Sequence, residues 1–174
     1  MNLFRSLTAA LLAASLGAPS MARAAAACEG FKWDVRDVRA LFAGAATPVQ
    51  AGASAVPAPA IEAGRLYQLE LHPQESVTFA QPPAKKTLAD GASAGLVRLR
   101  MARAGDYRVA VDVPFWLDVV AGAQVLPSLD FNGDPACEAP RKIVVYALPA
   151  DRDLILQFSG HVGQRVRVSV TAAP

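Results

Sequence analysis

From Arg65 onward, apolar and polar residues alternate with period two. Tyr67, Leu69 and Leu71 alternate with Gln68 and Glu70, and Val97, Leu99 and Met101 with Arg98 and Arg100. Tyr107, Val109, Val111 and Val113 alternate with Arg108, Ala110 and Asp112. Leu154, Leu156 and Phe158 alternate with Ile155 and Gln157, and Val166, Val168 and Val170 with Arg165, Arg167 and Ser169. Val77 and Phe79 flank Thr78 in the same way. Successive side chains of a strand point to opposite faces, so this spacing predicts half-buried antiparallel strands, each with one apolar and one mostly polar face. Residues 115–120 and Lys142–Leu148 are more continuously apolar and suit central strands.

Turn chemistry separates these runs, at Ala104-Gly105-Asp106, Ala121-Gly122, Asn132-Gly133 and Pro149-Ala150-Asp151. Short strands at this spacing, with no long helical pattern, predict an all-β fold. It is an antiparallel β-sandwich of jelly-roll or immunoglobulin-like type, with a closed barrel as the alternative.

The preceding sequence is different. Phe31, Val35, Val38 and Phe42 recur at helical spacing, and Asp34 is a possible cap. A strand through Phe31, Trp33 and Val35 followed by one or two helical turns fits equally well. Residues 44–64 are mostly Ala, Gly, Pro and Ser with little charge, which is the composition of an extended linker. The expected organisation is a short helical or extended N-terminal segment over 25–43, a linker over 44–64 and a sandwich domain over 65–174.

Residues 1–24 read as a cleavable secretory signal peptide. Arg5 precedes a short apolar run, no acid occurs before Glu29, and Ala22-Arg23-Ala24 offers a small-x-small cleavage site. The apolar run is about a dozen residues, short of the roughly 20 that span a bilayer. A lipoprotein signal ending at Cys28 is the other alternative, although Ala25 stands where such signals usually carry Leu. The expected destination is periplasmic or secreted. The full chain has 17 basic and 15 acidic residues, so losing Arg5 and Arg23 leaves 15 of each. A neutral mature chain gives no electrostatic case for nucleic acid or an anionic membrane as partner, and no transmembrane segment is expected in it.

Cys28 and Cys137 are the only cysteines. In an oxidising compartment an even pair reads as a disulfide. The bridge would close a loop of about 110 residues and stabilise by roughly 4–5 kcal/mol on the chain-entropy argument. A reactive thiol or metal ligand is the alternative, but no CxxC or nearby histidine supports it.

The remaining candidates for chemistry are sparse. His72 precedes Pro73 and His161 lies in a Ser-Gly-His-Val-Gly turn, with no HxH, HxxxH or HxD spacing to begin a metal site. Asp130, Asn132 and Asp134 alternate as calcium ligands do, yet Pro135 and Arg141 break the EF-hand pattern, leaving a hairpin turn on Asn132-Gly133 as the plainer reading. No GxSxG elbow or phosphate loop is present, and Lys85-Lys86 reads as a solvated loop. No catalytic residue, metal site or cofactor is assigned.

Phe115-Trp116-Leu117-Asp118 is the most informative cluster. With Phe115 and Leu117 facing the core, Trp116 and Asp118 share the other face. An exposed Trp–Asp pair suits a carbohydrate: the ring stacks and the acid bonds hydroxyls. Burial of both faces is the competing reading. The expectation is an exported, non-catalytic sandwich that binds a glycan or another envelope ligand through Trp116 and Asp118. The alternatives are a structural or protein-interaction module of the envelope, with a protein partner, or a metal-dependent enzyme using His72 and His161.

Three segments carry a resemblance: Phe31-Lys32-Trp33-Asp34-Val35, Phe115-Trp116-Leu117-Asp118-Val119-Val120 and Leu156-Gln157-Phe158-Ser159-Gly160. The chain resembles an uncharacterised family of small exported proteobacterial proteins, some members of which carry the label homogentisate 1,2-dioxygenase. The enzyme of that name is a larger cytoplasmic iron protein using two histidines and a glutamate. No such motif occurs here, so the resemblance implies an exported protein and carries over no catalytic residue.

Overall fold

The computed structural model describes residues 28–85 and 89–174. Residues 1–24, expected to be a signal peptide, and Lys86 lie outside the described residues.

The described chain runs through helix α1 (Arg36–Phe42) and strands β1 (Thr47–Gln50), β2 (Ala60–Ile61), β3 (Leu66–Glu70) and β4 (His72–Pro73). Strands β5 (Ser93–Arg100), β6 (Gly105–Val111), β7 (Trp116–Ala121) and β8 (Gln124–Leu126) follow. The last are β9 (Ser128–Gly133), β10 (Lys142–Leu148), β11 (Asp153–His161) and β12 (Arg165–Ala172). They form two packed sheets. The first has the order β1-β3-β12-β6-β10-β9; the second has the order β2-β5-β11-β7-β8, with β4 also paired to β5. The fold is an all-β sandwich.

The period-two pattern sets its core. Leu69, Val97, Leu99, Val109, Val111, Leu154, Leu156, Phe158, Val166, Val168 and Val170 are all buried in one cluster between the sheets. Phe115 and Phe158 meet edge to face within it, and fully burying such side chains contributes about 1.5–3 kcal/mol each. Gly122 closes the β7–β8 hairpin at φ 63°, a left-handed conformation that glycine adopts without a Cβ penalty.

Three expectations need correction. First, the sheets are mixed rather than purely antiparallel, because 44–64 is not a linker. It supplies β1, parallel to β3, and β2, parallel to β5. Its Ala/Pro composition hides this, since edge strands are held by main-chain bonds and tolerate proline. Between them, the Gly52 and Leu96 backbones exchange bonds of 2.9 and 3.0 Å.

Second, Val77-Thr78-Phe79 forms no strand. This stretch leads into a segment lying across the outer face of the second sheet, where buried side chains rather than a neighbouring strand satisfy its backbone. Third, Asn132-Gly133 is no turn: both residues pair with β10 inside β9. The reversal falls later, where Cys137 N donates to Asp134 O at 3.1 Å.

Residues 28–43 cover the outer face of the first sheet. The helical spacing of the sequence reappears there, with Phe31, Val35, Val38 and Phe42 buried against Leu66, Ala110 and Ile143. Arg108, 8% exposed, donates to Asp34 O at 2.9 Å and lies 5.5 Å from the Trp33 ring centroid. Cys28 and Cys137 are disulfide-bonded and fasten this cover. A disulfide fits an oxidising, extracytoplasmic compartment. No helix among the described residues is long and apolar enough to cross a membrane.

Candidate functional site

Strand β7 is only half covered on one side. β8 pairs with Val119, Val120 and Ala121, and then the chain crosses at Pro127 to become β9 of the other sheet. Trp116, Leu117 and Asp118 are therefore flanked by β11 on one side and by an opening on the other. The opening is a groove of about 430 Å³ running between the two sheet edges. Its walls are mainly apolar, with Leu117, Val125, Leu126, Phe131 and Val144 among them. Phe131 and Val125 are exposed at the rim.

Two polar side chains reach the groove from β10. Period two places Lys142, Val144 and Tyr146 on one face of that strand, toward the sandwich interior. The Tyr146 hydroxyl donates to Leu117 O at 2.8 Å, and burial pushes its pKa well above the ordinary tyrosine value. Lys142 Nζ donates to Phe115 O at 3.0 Å and lies 5.4 Å from the Trp116 ring centroid. It makes no ion pair among the described residues. Burial, and secondarily the positive charge of Lys85, hold its ammonium below the usual lysine value; the Asp118 carboxylate opposes them.

The main-chain geometry of β7 adds a donor. A two-residue turn makes Ala121 and Gln124 a hydrogen-bonded pair, so the main-chain groups of Ala121, Val119 and Leu117 point to the β8 side. Leu117 lies past the end of β8. Its carbonyl is taken by Tyr146, and its N–H is directed toward the groove.

The structure brings Trp116 and Asp118 together, but not as an open pair. Trp116 Nε1 donates to Asp118 Oδ1 at 2.9 Å. Asp118 is only 4% exposed, and its Oδ2 accepts from Ala84 N at 3.3 Å and Gln157 Nε2 at 3.5 Å. Gln157 in turn donates to Gln81 O at 2.9 Å and is buried. The expected exposed carboxylate is thus a closed internal acceptor. It ties the covering segment to the second sheet, because desolvating it without these donors would be costly. Trp116 remains half-buried at the groove.

The other candidates have separate tasks. His72 and His161 stand opposite Ala94 and Ser93, consecutive residues of β5, and so fall on opposite faces of the sheet. His161 packs on Phe115 with ring centroids 5.0 Å apart, and His72 Nε2 lies 2.8 Å from Ala51 O. Among the described residues no group of three or more potential metal ligands occurs. The alternating oxygens of β9 and the following turn hold the N-terminal segment instead. Asp130 pairs with Lys32 Nζ at 2.5 Å, Asn132 accepts from Lys32 N at 3.3 Å, and Asp134 accepts from Gly30 N at 3.0 Å.

Sequence reasoning missed Lys142 and Tyr146. The available signal was a lysine opening the apolar run Lys-Ile-Val-Val-Tyr-Ala-Leu, two and four residues from side chains on the same face. The contribution of Val125 and Phe131 had no signal, since it depends on the chain changing sheets at Pro127.

No protein-family model matches the chain, and neither a curated protein nor a solved structure matches it.

Proposed function

We propose that this protein is an exported, non-catalytic binding module that takes a small, largely apolar envelope molecule into the groove at Trp116, in the periplasm or outside the cell. The carrying observation is the groove itself: a concavity of about 430 Å³ beside an incompletely paired strand. Small-molecule sites are of this kind, roughly 300–1,000 Å³, mostly apolar, with a few placed polar groups. The disulfide and the apolar run ahead of Ala22-Arg23-Ala24 support export. Asp118 is internally satisfied, which favours an apolar occupant over the glycan that an open Trp–Asp pair would hold.

The test uses the two tryptophans. A Trp33→Phe variant leaves Trp116 as the sole indole reporter. Titration with an environment-sensitive apolar dye should shift Trp116 emission saturably, and Leu126→Arg or Val125→Glu should abolish dye binding. Equal dye binding in the blocked variants would place the site elsewhere and overturn the proposal.

A further inference from the structure

The groove sets one cationic side chain among mainly apolar walls. Lys142 Nζ, held by Phe115 O at 3.0 Å, is that cation. Val125, Leu126, Pro127 and Phe131 are among the apolar residues that share the lining with it. An ammonium partly withdrawn from water, with no carboxylate within ion-pair distance among the described residues, is an unfinished arrangement, because a desolvated charge gains most from a bonded counter-ion. Asp118 does not supply it. Its oxygens serve Trp116, Ala84 and Gln157. The Leu117 N–H is directed to the same opening, and one cation with one main-chain donor matches the two oxygens of a carboxylate.

Resting on the groove being a ligand site, we propose that its occupant is a free fatty acid, with the carboxylate on Lys142 and Leu117 N–H and the acyl chain over Val125, Leu126 and Phe131. The charge complementarity selects an anionic head. Phe131, 67% exposed on an edge strand, and the adjoining apolar wall suit a hydrocarbon tail. A neutral alcohol of the same length would cover the apolar walls and leave the ammonium without a counter-ion. A diacyl phospholipid would present twice the hydrocarbon to one groove.

The experiment compares hexadecanoate, hexadecanol and phosphatidylglycerol vesicles as displacers of the apolar dye. The chain carries Trp33→Phe alone or together with Lys142→Met or Lys142→Arg. Hexadecanoate is expected to bind about 10- to 100-fold more tightly than hexadecanol, the range for a charge-assisted hydrogen bond. Lys142→Met should erase that preference, and Lys142→Arg should largely retain it. Circular dichroism and thermal melts on each variant separate loss of binding from loss of fold. Equal affinity for acid and alcohol in a dye-binding protein would overturn the fatty-acid assignment and leave the groove reading intact. Displacement by vesicles but not by free hexadecanoate would overturn it in favour of a membrane lipid. Failure of the dye itself to bind would remove both readings.

Discussion

Trp116 Nε1 and Asp118 Oδ1 are hydrogen-bonded at 2.9 Å across two positions of one strand, so the residue that lines the groove is oriented by the residue that anchors the covering segment. Site and cover are one hydrogen-bonded unit. Asp118→Ala would orphan the indole N–H, Ala84 N and part of the Gln157 amide. Each buried orphan costs about 1–3 kcal/mol. The variant should lose at least that much stability in urea denaturation, and limited proteolysis should cut near 81–85 sooner. Asp118→Asn keeps an acceptor for the indole and should lose less. An Asp118→Ala protein as stable and as protected as wild type would show that the network does not hold the cover.

Tyr146→Phe removes one oxygen and leaves Leu117 O, at the unpaired half of β7, without its donor. The expected loss is about 1–3 kcal/mol in equilibrium unfolding, with the secondary-structure signal unchanged. Binding in the groove should also weaken, since the segment that lines it is then free to shift. A neutral effect on both would mean that water replaces the hydroxyl at no cost.

Gly30 lies against Asp134 so closely that a Cβ there would meet Asp134 Cγ at 2.8 Å. Gly30→Ala should therefore push the N-terminal segment off its seat and break the Gly30 N–Asp134 bond. Stability should fall by about 1–3 kcal/mol. The Trp33 emission should move to the red as the ring leaves Arg108. Asp134→Ala should produce the same spectral change without any added bulk, which distinguishes loss of the bond from overcrowding.

Cys28→Ser with Cys137→Ser should cost about 2–5 kcal/mol, the usual range for a bridge in a small secreted domain. The loss should be read by thermal melts under oxidising and reducing conditions. Reductant should lower the melting temperature of the wild type only. If the double variant melts with the wild type in oxidant, the bridge contributes nothing.

His161 is predicted to make stability fall in acid. Its partial burial against Phe115 lowers its pKa from the ordinary 6.5. Below that value the unfolded chain takes up a proton that the folded chain resists. Unfolding free energy therefore rises with pH in the window between the folded value and 6.5. His161→Phe should flatten that part of the profile, measured by denaturation at about pH 5.5, 6.5 and 7.5, roughly one unit either side of the unfolded value. Identical slopes in both proteins would assign the acid sensitivity to other groups.

Core positions were legible because burial on one face of a strand imposes period two, and Leu69, Val97, Val109, Leu156 and Val168 obey it. The two outer layers were not. Residues 47–61 enter both sheets through main-chain bonding, which leaves no side-chain period. Gln81 and Ala84 are fixed by Gln157 and Asp118, remote in sequence. Trp116 and Asp118 were legible as neighbours, since i and i+2 share a strand face. That their bond closes inward depends on a cover the local sequence does not announce. Lys142 could be seen as a lysine in an apolar run, but its setting at Trp116 follows from the pairing of β10 with β6 and β9.

The 109-residue separation of Cys28 from Cys137 imposes an order of events on a chain that emerges from its amino end. The first cysteine must wait, reduced or capped, while nine strands appear, since its partner lies beyond β9. With only two cysteines, no wrong pair can form within one chain. The wrong protein–protein bond open to it is one between two molecules, so oxidation at high chain concentration would give dimers rather than scrambled monomers.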